Sequence, residues 1–208
     1  MKSSEQPTLF GLLRHGQTRW NSLKKIQGQM DSPLTARGRS QIDQWGTTLG
    51  QWHWDRIVAS DLGRVVETVE ILNKKLHLPI TYDTRLREQS WGRWEGLTLP
   101  HIHENFSQDL ALRVAKGWGF SAPGGESRDA VRQRVQGILT EISSNFPGEK
   151  ILIICHQGVI KALIYHLMNR AFLPEEDPLL QVNGFHLVAL ESGVFSINKL
   201  NIPRSFRS

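Results

Sequence analysis

The residues able to do chemistry fall into one group: Arg14, His15, Arg64 and His156. Arg14-His15-Gly16 ends the apolar run Leu12-Leu13, and His156-Gln157-Gly158 ends the run Ile151-Leu152-Ile153-Ile154-Cys155. Arg64 follows Val58-Ala59-Ser60, in what reads as the first turn of a helix. Guanidinium forks grip phosphate oxygens bidentately and stay charged at any working pH. A neutral imidazole is a competent nucleophile near pH 7. Brought into one pocket, these four side chains suit phosphoryl transfer. The departing ester oxygen needs a proton, which a carboxylic acid beside the pocket can supply. Glu88, Glu95 and Glu126 compete for that part. The place of Glu88, after Leu86-Arg87 and before a tryptophan–glycine run, favours it.

Such a pocket needs strands that end together. Residues 8–13 and 151–155 are nearly continuous in apolar side chains, which suits central strands buried on both faces. Residues 55–60 and 79–82 read as two further short strands. Ile42, Trp45, Leu49 and Trp52 recur at helical spacing after Thr35, and Leu62, Val65, Val69, Leu72 and Leu76 do so after Asp61, a candidate N-cap. Val131, Val135, Ile138 and Ile142 follow Ser127, and a last helix spans residues 159–169. Residues 16–34 read as a loop, and 201–208 as a loose tail. Runs at 185–190 and 194–200 around Glu191-Ser192-Gly193 predict a closing hairpin. The pattern predicts one domain over residues 1–208, a three-layer α/β/α sandwich whose mostly parallel sheet ends in that hairpin. In such sheets ligands gather beyond the carboxyl ends of the strands. Residues 97–126 are the least periodic part and read as a short helix or two over those ends, a cap. Trp91, Trp94 and Trp118 are the tryptophans placed to line a pocket.

Composition narrows the partners. The chain has 208 residues, 25 basic and 20 acidic, for a formal charge of +5, and its pI is near 9.6. No basic run exceeds Lys24-Lys25 and no nucleic-acid signature appears, so the charge points to a small anionic substrate and to no nucleic acid. Cys155 is the sole cysteine, which excludes an intrachain disulfide. The apolar stretch 9–13 is too short for a signal-peptide core and no stretch approaches a membrane span, so a cytoplasmic protein with no membrane partner is expected. A homodimer is left open.

The blocks also carry a resemblance. Leu13-Arg14-His15-Gly16-Gln17-Thr18 with Asn21, Gln27-Gly28, Asp31 and Pro33-Leu34-Thr35 resembles the histidine phosphatase family, the phosphoglycerate mutase-like group. Ser60-Asp61-Leu62-Gly63-Arg64, Leu86-Arg87-Glu88, Trp91-Gly92-Arg93-Trp94-Glu95-Gly96, Pro123-Gly124-Gly125-Glu126-Ser127 and His156-Gln157-Gly158 continue it in family order. The resemblance implies that His15 is a nucleophile that becomes phosphohistidine. It makes Arg14, Arg64 and His156 ligands of the phosphoryl oxygens and Glu88 the proton donor and later base. It places Asn21 near the phosphate and Gln27 in the loop bordering the pocket. Gln157 stands where the family often has glycine and so narrows or re-polarises the pocket beside His156. The implied scheme uses no cofactor and no metal.

Other readings compete. Arg64 could pair with Glu67 or Asp61 on its own helix. Cysteine phosphatases carry an arginine six residues after their cysteine, where this chain has Lys161 after Cys155, so a buried thiol is the better reading. His101 and His103 lack a third ligand at metal spacing. Three functions follow: a phosphomonoester hydrolase of a small metabolite, a phosphoglycerate mutase-type transferase, or a phospho-ligand-binding protein without turnover. The segment from Gln89 to Gly96 looks like the phosphatase branch, which includes alpha-ribazole phosphatases and broad-specificity phosphatases.

Overall fold

The two apolar runs become neighbours in the middle of a sheet. The computed structural model describes residues 6–204, with strands β1 (Thr8–Arg14), β2 (Arg56–Ala59), β3 (Ile80–Tyr82), β4 (Lys150–Cys155), β5 (Phe185–Glu191) and β6 (Val194–Ile202). They form one sheet in the order β3-β2-β4-β1-β5-β6. Strands β1 to β4 pair in parallel, and β5 and β6 add as the antiparallel hairpin. The helices are α1 (Arg19–Ser22), α2 (Ala36–Leu49), α3 (Gly63–Leu76), α4 (Leu99–Asn105), α5 (Ser107–Val114), α6 (Arg128–Asn145) and α7 (Gln157–Leu167).

Alternation along the central strands splits the core in two. Leu12, Ile151 and Ile153 face Val131, Val135, Ile138 and Leu139 of α6 and Val159, Ile160 and Leu163 of α7. Leu13, Leu152 and Ile154 face Ile42, Trp45 and Leu49 of α2 and Val65, Val69 and Leu72 of α3. Each such aliphatic side chain contributes about 1.5–3 kcal/mol on burial. With helices on both faces, β1 and β4 are buried over most of their length, which is why they read as nearly continuous apolar runs. The result is the expected three-layer α/β/α sandwich. No helix among the described residues is long and apolar enough to cross a membrane.

Several local expectations are corrected. The 16–34 stretch holds the one-turn helix α1, built on a capping box in which Thr18 and Asn21 exchange side-chain and backbone hydrogen bonds. A four-residue helix has no periodic face to read. Helix α2 stops at Leu49, so Trp52 lies beyond it and stacks on Trp54 instead. Asp61 does not cap α3; its N-cap position is Leu62, with no side-chain cap bond of its own. Strand β6 runs into the stretch expected to be a loose tail. Ile202 is 1% exposed, and the Asn201 amide bonds Leu179 O at 2.9 Å and Gln181 N at 2.8 Å; residues 205–208 lie outside the described residues. Between 97 and 126 the chain forms α4, α5 and a 3-10 turn around a separate cluster of Trp94, Ile102, Phe120 and Ala122.

Candidate active site

Strand register builds the centre of the site. Arg14 of β1 pairs with Cys155 of β4, so the next residues, His15 and His156, emerge side by side at the carboxyl ends. Their ring centroids lie 5.2 Å apart at 61°. His15 Nδ1–H donates to the carbonyl of Gly16 at 2.8 Å, which fixes the proton there and leaves the Nε2 lone pair free. Burial first, then the charges of Arg14 and Arg64, hold His15 well below the usual imidazole range, so the ring is neutral at pH 7. His156 is lowered in the same way, by burial and then by Arg64, His15 and Arg14. Its Nε2 lies 2.9 Å from Ser60 Oγ, which also accepts from Leu62 N–H at 3.4 Å. The Ser60 hydroxyl has no other acceptor among the described residues, so its proton goes to Nε2 and the imidazole proton stays on Nδ1. Sequence spacing gave no sign of this part for Ser60, because the pair is 96 positions apart and meets only through the β2–β4 register.

Arg64, 1% exposed, is clamped from the loop before α2. Its Nη1 donates to Met30 O at 2.7 Å and Asp31 Oδ1 at 3.0 Å, and its Nη2 donates to Gly28 O at 2.7 Å. Neither Glu67 nor Asp61 is its partner. Glu67 takes Leu34 N–H and Arg39, and Asp61 takes Arg87 Nε at 2.7 Å. Asp31 also accepts Gly63 N–H at 2.6 Å and Arg64 N–H at 3.2 Å, so a carboxylate 32 residues away supplies the cap expected of Asp61. The clamp leaves the Arg64 Nε–H without a partner among the described residues, and Arg14 Nε is in the same condition. Burial lowers both guanidinium pKa values, with Glu88 offsetting part of the effect; both stay cations at neutral pH.

Arg14, His15, Asn21, Gln27, Arg64, Glu88 and Gln157 line one cavity of about 360 Å³, and His156 stands behind His15. Every expected site residue is thus brought together. Asn21 Oδ1 accepts Thr18 N–H at 3.1 Å, which turns its amide NH2 the other way. Glu88 Oε1 accepts Gln89 N–H at 2.8 Å and Oε2 accepts Gly158 N–H at 3.2 Å. A Cβ on Gly158 would overlap Glu88 Oε1, so glycine is what lets the carboxylate sit at the start of α7. The competing carboxylates are engaged elsewhere. Glu95 Oε1 takes Gln29 N–H and Trp91 N–H, and Glu126 pairs with Arg134 at 2.7 Å.

Trp91 lines the cavity, together with Lys25, Ile26 and Leu99, which sequence reasoning missed for want of any periodic signal. Trp94 does not line it; at 1% exposure it is the centre of the small cluster. Trp118 packs on Phe172 and His166 and is also outside it. His101 and His103 are exposed on α4, away from the cavity wall. The Cys155 thiol is buried and pushed far up by desolvation, which makes it inert.

Buried polar atoms are nearly always paired, and an orphan costs about 1–3 kcal/mol. Around His15 the buried donors Arg14 Nε, Arg64 Nε, His156 Nδ1 and Gln157 Nε2 are all unpaired within the described residues. Gln27 Oε1 is unpaired as well, and its amide can rotate to present the NH2 instead. Buried N–H donors without partners, beside two guanidinium charges, fit a ligand that is small, anionic and rich in acceptor oxygens.

The histidine phosphatase superfamily (branch 1) model matches residues 10–203. The chain is 33% identical over 195 residues to the uncharacterized phosphatase PhoE of Bacillus subtilis, covering 94% of this chain and 92% of that one. It is 38% identical over 164 residues to the probable phosphoglycerate mutase GpmB of Citrobacter koseri, covering 76% and 74%. Among solved structures, a mycobacterial glucosyl-3-phosphoglycerate phosphatase in complex with VO3 superposes with a TM-score of 0.82 at 30% identity, over 94% of this chain and all of that one. This phosphatase chain belongs to branch 1 of the histidine phosphatase superfamily.

Proposed function

We propose that the protein hydrolyses phosphomonoesters of small metabolites in two in-line displacements at His15, without a metal. The observation that carries this reading is the set of unpaired buried donors closing on a neutral His15 whose free lone pair is on Nε2.

In the first step His15 Nε2 attacks phosphorus and the P–O bond to the alcohol breaks. Glu88 gives its proton to the departing oxygen, and the Nε2–P bond forms phosphohistidine. Arg14, Arg64, His156 Nδ1–H and Gln157 spread over the equatorial oxygens, where charge concentrates in the transition state. In the second step Glu88, now a carboxylate, takes a proton from water as that water attacks phosphorus. The N–P bond breaks, inorganic phosphate leaves and His15 is neutral again. The backbone N–H groups of Gln89 and Gly158 position the Glu88 carboxyl group for both steps.

Two relatives support a small phosphorylated substrate. One is named for glucosyl-3-phosphoglycerate and another for phosphoglycerate. The mycobacterial phosphatase has also been solved with inorganic phosphate, the product of the scheme. Turnover of 4-nitrophenyl phosphate in EDTA tests the reading. Wild-type activity is expected to survive the chelator and to vanish in His15→Ala. A chelator-sensitive rate, or an active His15→Ala, overturns it. Phosphoglycerate isomer exchange measured alongside separates hydrolysis from return of the phosphoryl group to a second hydroxyl.

A further inference from the structure

Helix α7 presents Gln157, Lys161 and Tyr165 at intervals of four, on one face. Gln157 lines the cavity at His15, whereas Lys161 and Tyr165 line a second cavity of about 260 Å³. Arg128, at the start of α6, and Phe172 and Glu176, from the loop after α7, share its wall with apolar residues of α5 and of that loop. One helical turn, about 6 Å, separates Gln157 from Lys161 along the axis. Lys161 therefore stands one turn along the same helix face from a residue that lines the first cavity.

The second cavity is cationic and uncompensated. Arg128 Nη1 donates to Gly117 O at 3.1 Å and Phe172 O at 2.7 Å, and the guanidinium lies 4.4 Å from the Phe120 ring centre and 4.1 Å from that of Phe172. Its Nε and Nη2 make no hydrogen bond among the described residues, and neither Arg128 nor Lys161 has a carboxylate partner among them. Lys161 Nζ has only the face of Tyr165, 5.8 Å away. The one carboxylate in the wall, Glu176, is occupied: it accepts Ala171 N–H and Leu173 N–H at 3.0 Å each and pairs with Arg170. Burial lowers Lys161, with Arg128 adding to the effect, and burial takes Arg128 down to about 10. Both remain charged at neutral pH, so two half-buried cations face one space whose one lining carboxylate is already paired with Arg170. Such an arrangement is unfavourable until an anion enters.

We propose that the Arg128–Lys161 cavity is a subsite for an oxyanion, a carboxylate or a second phosphate, carried by the substrate whose phosphoryl group sits at His15. It rests on the phosphatase reading for the position of that phosphoryl group. The substrates it selects are doubly anionic metabolites whose two charged ends are joined by a short linker. Arg128, held by two carbonyls and two aromatic faces, gives a fixed fork; Lys161 gives a point charge on a flexible stem that adapts to linker length.

Equilibrium binding of non-hydrolysable probes tests this independently of turnover. Calorimetry compares methylphosphonate, a series of α,ω-phosphonocarboxylates of increasing length, and the corresponding bisphosphonates. Wild-type protein is expected to bind the best-fitting diacid at least about tenfold tighter than methylphosphonate, and Lys161→Met to bring the two within about twofold. Methylphosphonate affinity and 4-nitrophenyl phosphate turnover should be unchanged in that variant, and Lys161→Arg should keep the discrimination. The carboxylate and bisphosphonate arms say which oxyanion fits. Equal affinity across all lengths, no binding of any diacid, or a Lys161→Met variant that weakens methylphosphonate as much as the diacids overturns the subsite. Discrimination without any phosphomonoester turnover in the wild type would instead defeat the phosphatase reading and leave the subsite standing.

Discussion

Removing one oxygen, that of Ser60, should disable a histidine it does not share an element with. Ser60 is fully buried, and its hydroxyl is placed to donate to His156 Nε2 at 2.9 Å while accepting Leu62 N–H. In Ser60→Ala the ring has two options. It can keep its proton on Nδ1 and leave Nε2 an unpaired buried acceptor, at about 1–3 kcal/mol. Or it can move the proton to Nε2 and turn a lone pair toward the phosphoryl oxygens, which withdraws one donor, an effect of about 10²–10³ in kcat where measured elsewhere. The cheaper route sets the outcome, so kcat should fall about 10- to 100-fold. The assay is a double-mutant cycle on 4-nitrophenyl phosphate with Ser60→Ala, His156→Ala and the pair. Because Ser60 acts through the ring, Ser60→Ala should lose less than about twofold once His156 is gone. Multiplicative losses, with folding intact by melting temperature, would refute the reasoning.

A methyl group on Gly158 would collide with Glu88, so Gly158→Ala should push the carboxylate off its two N–H donors while leaving the sheet alone. Alkyl phosphates, which need a proton on the leaving oxygen, should slow by about tenfold or more; nitrophenyl phosphate should slow less, and equal losses would point to a different acid. His15 and His156 are held well below 6.5 and His186 at about 4, all chiefly by burial. The unfolded chain therefore binds more protons than the folded one once the pH drops below 6.5, and stability that is complete above that value declines beneath it. The urea midpoint should be lower at about pH 5.5 than at about pH 7.5. An unchanged or higher midpoint contradicts the assigned neutral rings.

The sheet was legible because β1 and β4 are buried on both faces over most of their length and are therefore nearly all apolar until they end. The same abrupt ends expose Arg14, His15 and His156, so the heart of the site could be read from where the runs stop. What could not be read is what meets across the chain. Asp31 reaches 32 positions to cap α3 and 33 to hold Arg64, displacing the local candidates Asp61 and Glu67. No local spacing distinguishes a carboxylate that caps its own helix from one that caps another. Trp94 and Trp118 sit elsewhere for a related reason: an aromatic side chain packs into a core as readily as into a pocket, and Trp94 centres the small cluster while Trp118 packs with Phe172 against the main core. Strand β6 outran its apolar pattern because Asn201, polar and at φ 55°, is held by hydrogen bonds to Leu179 and Gln181.

Rapid-quench labelling with a phosphomonoester radiolabelled at phosphorus bears most directly on His15 as the group that takes the phosphoryl. During turnover the enzyme should carry phosphate that is labile in acid and stable in base, rising to at most one per chain, and His15→Ala should carry none. Turnover with no such label at any time point, or the same label on His15→Ala, would contradict it.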